Sequence, residues 1–263
     1  MLASLALPSL GHAQDGVQDG GTGLFSGNWH LTLGVSVFRA PRFKGSNDYM
    51  LAASPMVSLG RAEGRARFTS RNDNISLAFF DTGDFRIGAV GKLVFRRDDT
   101  DSADLTGLSP IPLGIEAGGF AEIYPTEWLR LRGEVRQGIR SHDGVVADLS
   151  ADAFVDVTEK VRVSAGPRAA WGSARYFDAF YGVSPAESGA SGLTAYRPSS
   201  GLESVGVGGA ITFKATEKVT ASLFGEYARL VGSASRSSLV GERGSKDQTL
   251  IGVSTTYRFD LAM

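Results

Sequence analysis

The sequence predicts an all-β protein, a closed antiparallel transmembrane β-barrel of about 12 strands with short periplasmic turns and long external loops. Three observations support this prediction. Apolar and polar residues alternate with a period of two from about residue 29 to residue 259, which is typical of strands with two different faces. Tight turns and long connections also alternate along the chain. Finally, there is no run of 18 or more apolar residues, so the sequence offers no membrane-spanning helix.

The composition of the 263 residues narrows the possible functions. A formal net charge of −1 gives no basis for nucleic-acid binding, which would require a basic excess. Cysteine is absent, so disulfide bonds and thiolate chemistry are excluded. Glycine is abundant at 34 residues, and glycine within strands permits close packing and bending.

The first residues predict an export signal followed by a short segment and a single barrel domain. Residues 2–10 are apolar, and the small residue Ala13 suits signal cleavage. A positively charged leading region is missing, so we interpret residues 1–13 as a truncated signal peptide. Residues 14–28 are then a flexible periplasmic segment, and residues 29–263 are the barrel.

The alternation divides the barrel into twelve segments. In the first, Leu31, Leu33 and Val35 alternate with Thr32 and Gly34. Most segments reach the roughly 9–11 residues that a tilted strand needs to cross a bilayer, and the third and fourth are the shortest. The predicted segments are 30–39, 48–59, 62–70, 74–80, 84–96, 113–123, 128–139, 145–157, 160–171, 202–214, 218–230 and 248–259.

The connections fall into two classes, which indicates the two ends of a barrel. Three of the tight turns share a Thr-Glu pair, in PTEW, VTEKV and ATEKV, and this marks them as equivalent hairpins. An even strand count places both chain ends on the turn side, in the periplasm. Tight turns are predicted at 59–62, 81–84, 124–127, 158–159 and 216–217, and long connections at 40–47, 97–112, 140–144, 172–201 and 231–247.

Charged residues on the polar face decide which face points inward. A soluble sandwich or lipocalin-like barrel would place the apolar face inside and leave the charges in water. In a membrane barrel the charged face is the lumen, where acids and bases on neighbouring strands pair and so offset their desolvation. We favour the membrane barrel. The expected lumen ion-pair network consists of Arg130, Arg132, Glu134, Arg136, Asp148, Asp152, Asp156, Glu116 and Glu122.

Several stretches of the chain resemble the MipA/OmpV family of outer-membrane proteins. The first loop and second strand read FKGSNDYMLAASPMVSL, the middle reads LTGLSPIPLGIEAGGFAEIYP, and the end combines EYARLVGSASRSSLV with a YRF close. A further family-like loop is ARYFDAFYGVSPAESGASGLTAYRPSSGL. The matching positions are Gly45, Asp48, Tyr49, Pro55, Gly107, Leu108, Glu116, Gly118, Tyr176, Tyr181, Gly182, Val183, Tyr196, Gly201, Arg229, Leu230, Ser237 and Phe259.

The resemblance implies a non-enzymatic barrel in the outer membrane of a Gram-negative cell, in contact with lipid and lipopolysaccharide. Family members are scaffolds that link a murein hydrolase, a lytic transglycosylase, to a peptidoglycan synthase, or act in surface adhesion or stress responses. A scaffold in peptidoglycan synthesis and turnover is therefore the first hypothesis. The charged lumen also leaves a pore or channel open as the alternative.

No group of residues predicts catalysis, a cofactor or a metal site. His142 lies between Ser141 and Asp143, and we interpret this sequence as a solvated turn at a loop tip. The acidic stretch 98–104 is compatible with a divalent cation that bridges lipopolysaccharide phosphates, although a solvated external loop is the preferred interpretation. The aromatic loop formed by Tyr176, Phe177, Asp178, Phe180 and Tyr181 is either an external recognition surface or a plug over the barrel mouth.

Overall fold

The chain forms a closed β-barrel in a computed structural model that describes residues 28–61, 68, 70 and 73–262. The predicted signal peptide and nearly all of segment 14–28 lie outside these residues. The strands are β1 (Asn28–Pro41), β2 (Tyr49–Arg61), β3 (Ile75–Asp81), β4 (Phe85–Val94), β5 (Gly114–Thr126), β6 (Leu129–Ile139), β7 (Val145–Asp156), β8 (Val161–Gly172), β9 (Gly201–Lys214), β10 (Val219–Leu230) and β11 (Asp247–Ala262).

The barrel closes between its first and last strands. β1 pairs antiparallel with β11 from Asn28 opposite Ala262 to Arg39 opposite Ile251. Every other neighbouring pair is also antiparallel except β2 and β3, which run parallel over two residue pairs. Closure leaves no free sheet edge where β1 meets β11, as a membrane barrel requires.

The prediction of about 12 strands is corrected to eleven for the described part of the chain. The predicted third strand, 62–70, lies outside the described residues except for Phe68 and Ser70, and neither belongs to a strand. Both lie inside the barrel. The Phe68 ring stacks on Phe154 with centroids 4.8 Å apart, and the Ser70 amide donates to Asp73 at 2.9 Å. Asp73 in turn binds Arg130 at 2.6 Å, so a buried ion pair draws this connection inward.

The two ends of the barrel differ as predicted from the connections. Four tight turns, at 82–84, 127–128, 157–160 and 215–218, share one end with the start of β1 and the end of β11. The turn predicted at 59–62 instead continues β2 to Arg61. At the other end, the long loops carry the helices α1 (Ala174–Tyr181), α2 (Pro185–Ser191), α3 (Gly232–Ser235) and α4 (Ser238–Arg243). We call these the turn end and the loop end. No helix among the described residues is long and apolar enough to cross a membrane.

The two faces of the wall follow the parity of the residue number. Odd-numbered apolar side chains such as Val35, Leu149 and Val253 point outward and are 51%, 62% and 55% exposed. Even-numbered side chains of the same strands point into the barrel, where Ser36 and Ser254 are buried. Because successive strand residues face opposite sides, one parity carries the apolar surface and the other carries the interior.

Close contact between β5 and β6 predicts a position-specific effect of alanine. A Cβ on Gly118 would overlap the carbonyl oxygen of Val135, whereas a Cβ on Gly119 would lie 3.5 Å from the Gly88 carbonyl oxygen, an ordinary contact. We expect Gly118→Ala to lower the free energy of unfolding by about 1–3 kcal/mol through overpacking. Gly119→Ala, the matched control, should leave it unchanged or slightly raised. Urea unfolding in detergent micelles measures the stability of both variants. Equal changes in the two would contradict the close approach of β5 and β6 at Gly118.

Candidate functional site

One side of the barrel interior is a continuous layer of buried ion pairs, which we call the ionic wall. Period two places three arginines and Glu134 of β6 on the inner face. Antiparallel pairing then sets Arg132 opposite Glu122 of β5 and Arg130 opposite Asp152 of β7. The ionic wall consists of Glu116, Glu122, Arg130, Arg132, Glu134, Arg136, Asp148 and Asp152.

The contacts within the ionic wall are short, and most of its members touch two partners. Glu122 accepts from Arg130 at 3.1 Å and from Arg132 at 2.9 Å. Arg136 binds Glu134 at 2.5 Å, Glu116 at 2.8 Å and Asp148 at 2.5 Å. Glu134 and Asp148 lie opposite one another, and Arg136 between them offsets their repulsion. Pairing of this kind is needed because it offsets the free-energy cost of removing the charged groups from water.

The structure adds residues to this network that the sequence prediction omitted. Arg86 of β4 binds Glu122 at 2.5 Å, and Arg168 of β8 binds Asp152. Both residues have even numbers in strands where even-numbered side chains point into the barrel, so the sequence alone could have placed them in this network. Asp73 and Asn74, which bind Arg130 and Glu134, precede β3 and carried no such signal.

Asp156 lies apart from the ionic wall, although the sequence prediction included it. It faces the turn end, where it is largely exposed and pairs with Arg162 at 2.7 Å. Asp156 is the last residue of β7, so it lies closer to the turn end than the buried arginines of β6 do.

The predicted aromatic loop is helix α1, and its ring side chains point into the protein. Tyr176, Phe177, Phe180 and Tyr181 are all buried, whereas Asp178 is exposed. The rings pack with Val94, Ile111, Val146, Leu230, Ala234 and Val240, which come from strands and loops around the loop end. Of the two interpretations left open by the sequence, this burial favours a plug. We call α1 with α2, α3, α4 and their loops the cap.

A buried carboxylate holds the cap to the barrel. Glu203 accepts hydrogen bonds from the hydroxyls of Tyr176 at 2.8 Å and Tyr181 at 2.6 Å, and its carboxylate binds Lys44 at 2.8 Å. Burial, together with the nearby Glu203 charge, raises the pKa of both tyrosines well above the ordinary value, so they remain protonated donors. Glu203 points inward despite its odd number because the register between β8 and β9 shifts beside it, and a bulge of this kind re-aims a side chain.

Arg97 secures the C-terminal end of α1. Its guanidinium donates to the carbonyl oxygens of Phe180 at 2.8 Å and Ala179 at 3.2 Å, where the helix leaves carbonyls without partners. Burial lowers the pKa of Arg97 to about 10, so the group is still charged at neutral pH. A cation at this position also complements the helix dipole.

His142 connects the cap to the ionic wall, and the prediction of a solvated turn is wrong for this residue. Its ring is buried beneath α1, with centroids 5.1 Å from Tyr176 and 5.5 Å from Phe180. Its Nε2 lies 3.1 Å from Glu116, and its Nδ1 accepts from the amide of Gly144 at 3.2 Å. These contacts fit a neutral ring with the proton on Nε2, because only that tautomer both donates to Glu116 and accepts from Gly144.

Among the described residues, the acidic stretch at the loop end makes hydrogen bonds within its own loop. No group of three or more His, Cys, Asp or Glu side chains there has a metal-binding arrangement. Asp98 of the acidic stretch accepts from the amide of Thr100 at 3.0 Å, and Asp101 accepts from the amide of Asp98 at 3.0 Å. These carboxylates therefore stabilise turns in their own loop.

Glu187 links α2 of the cap to the loop between β4 and β5, and this contact predicts acid sensitivity. It accepts from the amides of Ser109 and Ser184 at 2.8 Å each. Burial alone would raise the pKa of Glu187, but the hydrogen bonds from Ser109 and Ser184 lower it from 4.5 to about 2. Because the folded-state pKa lies below the unfolded value, its contribution is present above pH 4.5 and is lost as the pH falls towards 2.

Hydrogen exchange at the Ser109 amide measures this contribution. We expect wild type to protect the Ser109 amide more than Glu187→Gln does at about pH 5, and the difference to vanish near pH 2. Asp178→Asn, which alters an exposed carboxylate of the same cap, should behave as wild type. A difference that persists at low pH would contradict the role of the Glu187 charge.

Comparison with solved structures finds other barrels at low similarity. A bacterial polysaccharide outer membrane secretin is 8% identical, with 87% of this chain and 98% of that chain covered and a TM-score of 0.45. The outer membrane channel DcaP of Acinetobacter baumannii is 5% identical, with 89% and 98% covered and a TM-score of 0.40. The CymD monoaromatic hydrocarbon channel is 11% identical, with 90% of each chain covered and a TM-score of 0.37. These values are too low for a site or ligand to be transferred.

Comparison with curated proteins gives no match. A family profile does match, over residues 33–259, and it is described as MltA-interacting protein MipA. This match covers nearly all of the barrel and confirms the resemblance read from the loops and strands. The chain belongs to the family of the MltA-interacting protein MipA.

Proposed function

We propose that this protein is a non-enzymatic barrel of the Gram-negative outer membrane that serves as a scaffold in peptidoglycan synthesis and turnover. The observation that best supports the proposal is the closed wall with an apolar outer face, an ionic interior and a capped loop end. Lipid and lipopolysaccharide then surround the outer face. With the tight turns in the periplasm, as in other outer-membrane barrels, the cap faces the outside of the cell.

The family description supports a partner of the MltA type, a murein hydrolase, and the family resemblance adds a peptidoglycan synthase. Such partners reach the barrel from the periplasm, so the turn end is the surface that we propose for them. Trp128 lies there beside a tight turn and is 56% exposed, and tryptophan is enriched at binding hot spots. The tight turns are short, whereas a standard interface buries roughly 800 Å² per partner, so residues 14–28 are proposed to contribute as well.

A pull-down with the purified full-length barrel tests this proposal. Wild type should retain an MltA-type transglycosylase, and Trp128→Ala or deletion of residues 14–28 should release it. Trp171→Ala is the matched control, because this partly exposed tryptophan lies on β8 near the loop end. Failure of wild type to retain a wall enzyme, or equal loss with Trp171→Ala, would contradict the proposal.

The alternative functions are a diffusion channel and a surface adhesion or stress-response protein. The cap over the loop end and the side chains of the ionic wall argue against an open pore in this conformation. The absence of conductance steps for wild type in a planar bilayer would agree with the scaffold, whereas steady steps would favour the channel. Cell-binding assays with the cap loops altered address adhesion.

A further inference from the structure

We propose that the barrel interior contains a binding site for a small polyhydroxylated carboxylate, a sugar acid, that enters from the turn end. A cavity of about 730 Å³ lies between the ionic wall and the opposite side of the barrel. It extends from Glu217 and Lys218 at the turn end to Phe38 and Phe224 beneath the cap. Ligand pockets in proteins typically measure about 300–1,000 Å³, so the space suits a molecule of one or two sugar rings.

The side of the cavity opposite the ionic wall is rich in hydroxyl groups. The inward residues of β9, β10, β11, β1 and β2 are mostly small, and we call this surface the hydroxyl wall. Its hydroxyls include Ser54, Ser58, Ser204, Thr212, Ser222 and Ser254. Each hydroxyl both donates and accepts, and Thr212 and Ser222 already pair at 3.0 Å. A ligand with many hydroxyls can donate hydrogen bonds to, and accept them from, the hydroxyl wall. An apolar ligand would displace water and leave the serine and threonine hydroxyls without hydrogen-bond partners.

The inner end of the cavity combines a cation, Lys92, with an acid, Glu226, and aromatic rings. Lys92 of β4 lines the cavity. It lies opposite Glu116 of β5, and the two charges interact across the strands, although no described carboxylate is in direct contact with the Lys92 ammonium. Its neighbour Glu116 is engaged by Arg136 and His142. Phe38 and Phe224 line the cavity at this depth and offer apolar faces to the carbon side of a ring. Lys92 is therefore the residue that we assign to the ligand carboxylate.

The charge at the mouth of the cavity also favours an anion. Among the described residues, Arg162, Lys214, Lys218 and Arg258 line the mouth, together with the acid Glu217. Neighbouring acids reduce this excess, since Arg162 pairs with Asp156, and Lys218 and Arg258 both pair with Asp260. Lys214 has no described carboxylate in direct contact, although its charge also acts on Asp156, and it adds a positive charge at the entrance. A basic rim attracts anions and raises their rate of entry.

Calorimetry on the detergent-solubilised full-length protein tests the site with digalacturonic acid as the probe. Cellobiose supplies hydroxyls without the carboxylates, and succinate supplies carboxylates without hydroxyls. We expect binding of digalacturonic acid and at least about tenfold weaker binding of each comparison compound. No measurable binding of digalacturonic acid would overturn the proposal. If cellobiose bound as tightly as digalacturonic acid, Lys92 would have no role in binding the carboxylate. If succinate bound as tightly, the hydroxyl wall would have no role in recognition.

Two adjacent substitutions locate the binding. Ala210 lines the cavity, so Ala210→Phe fills it, while Ile211→Phe alters only the outer face, where Ile211 is 51% exposed. Binding should be lost in the first variant and unchanged in the second. Lys92→Gln leaves Glu116 with its direct partners Arg136 and His142. It should weaken binding about tenfold and is the decisive variant if Ala210→Phe does not fold. Ala210→Phe, Ile211→Phe and Lys92→Gln should all retain the transglycosylase in the pull-down. Loss of sugar-acid binding is therefore distinguishable from failure of the scaffold proposal.

Discussion

Replacement of Arg130 by methionine is expected to lower the free energy of unfolding by about 3–5 kcal/mol. The Arg130 side chain is fully buried and lies 3.1 Å from Glu122, 2.6 Å from Asp73 and 3.7 Å from Asp152. Methionine fills a similar volume, so packing changes little. The variant leaves Glu122, Asp73 and Asp152 inside the barrel with one cation fewer. The loss of stability is large because a buried negative charge is then left uncompensated.

Chemical unfolding in detergent micelles, followed by tryptophan fluorescence, measures the effect of Arg130→Met. Arg229→Met is the matched control, because Arg229 and its partner Asp247 are about half exposed and such pairs contribute little to stability. A double variant that also carries Glu122→Gln should recover part of the loss, since it removes one of the stranded charges. Equal midpoints for Arg130→Met and Arg229→Met would contradict the importance of the ionic wall.

The strands and their faces could be predicted because period two persists along the chain. Outward Val35 and Val253 and inward Ser36 and Ser254 follow from parity alone. Pairing of Arg132 with Glu122 also follows, once consecutive strands are assumed to form hairpins. These features depend on local alternation, which a sequence displays directly.

The failures occur where tertiary contacts override that alternation. The predicted strand at 62–70 has a usable pattern, but the described Phe68 and Ser70 lie inside the barrel, near Phe154 and Asp73. Glu203 has the parity of an outward residue and is turned inward by a register shift. His142 reads as a loop-tip residue, yet α1 covers it. None of these placements has a periodic signal, because each depends on a partner distant in sequence.

Replacement of Glu203 by alanine is expected to release the cap from the barrel. The change leaves the hydroxyls of Tyr176 and Tyr181 and the ammonium of Lys44 without their shared acceptor. Each buried donor left unsatisfied costs about 1–3 kcal/mol, so the closed position of α1 should lose several kcal/mol relative to an open one. Because the cap covers the loop end, its release should convert a non-conducting barrel into one that passes ions.

Planar-bilayer recordings and limited proteolysis of the 173–200 loop measure the release of the cap. Glu203→Ala should show conductance steps and faster cleavage, whereas wild type shows neither. Glu242→Ala is the matched control, since Glu242 lies in the same cap and, among the described residues, accepts one exposed hydrogen bond, from the Thr194 amide at 3.2 Å. A silent Glu203→Ala barrel with a protease-resistant loop would mean that the aromatic packing of α1 suffices to hold the cap. Steps already present in wild type would mean that the cap does not close the lumen, and the diffusion channel would then replace the scaffold as the better account.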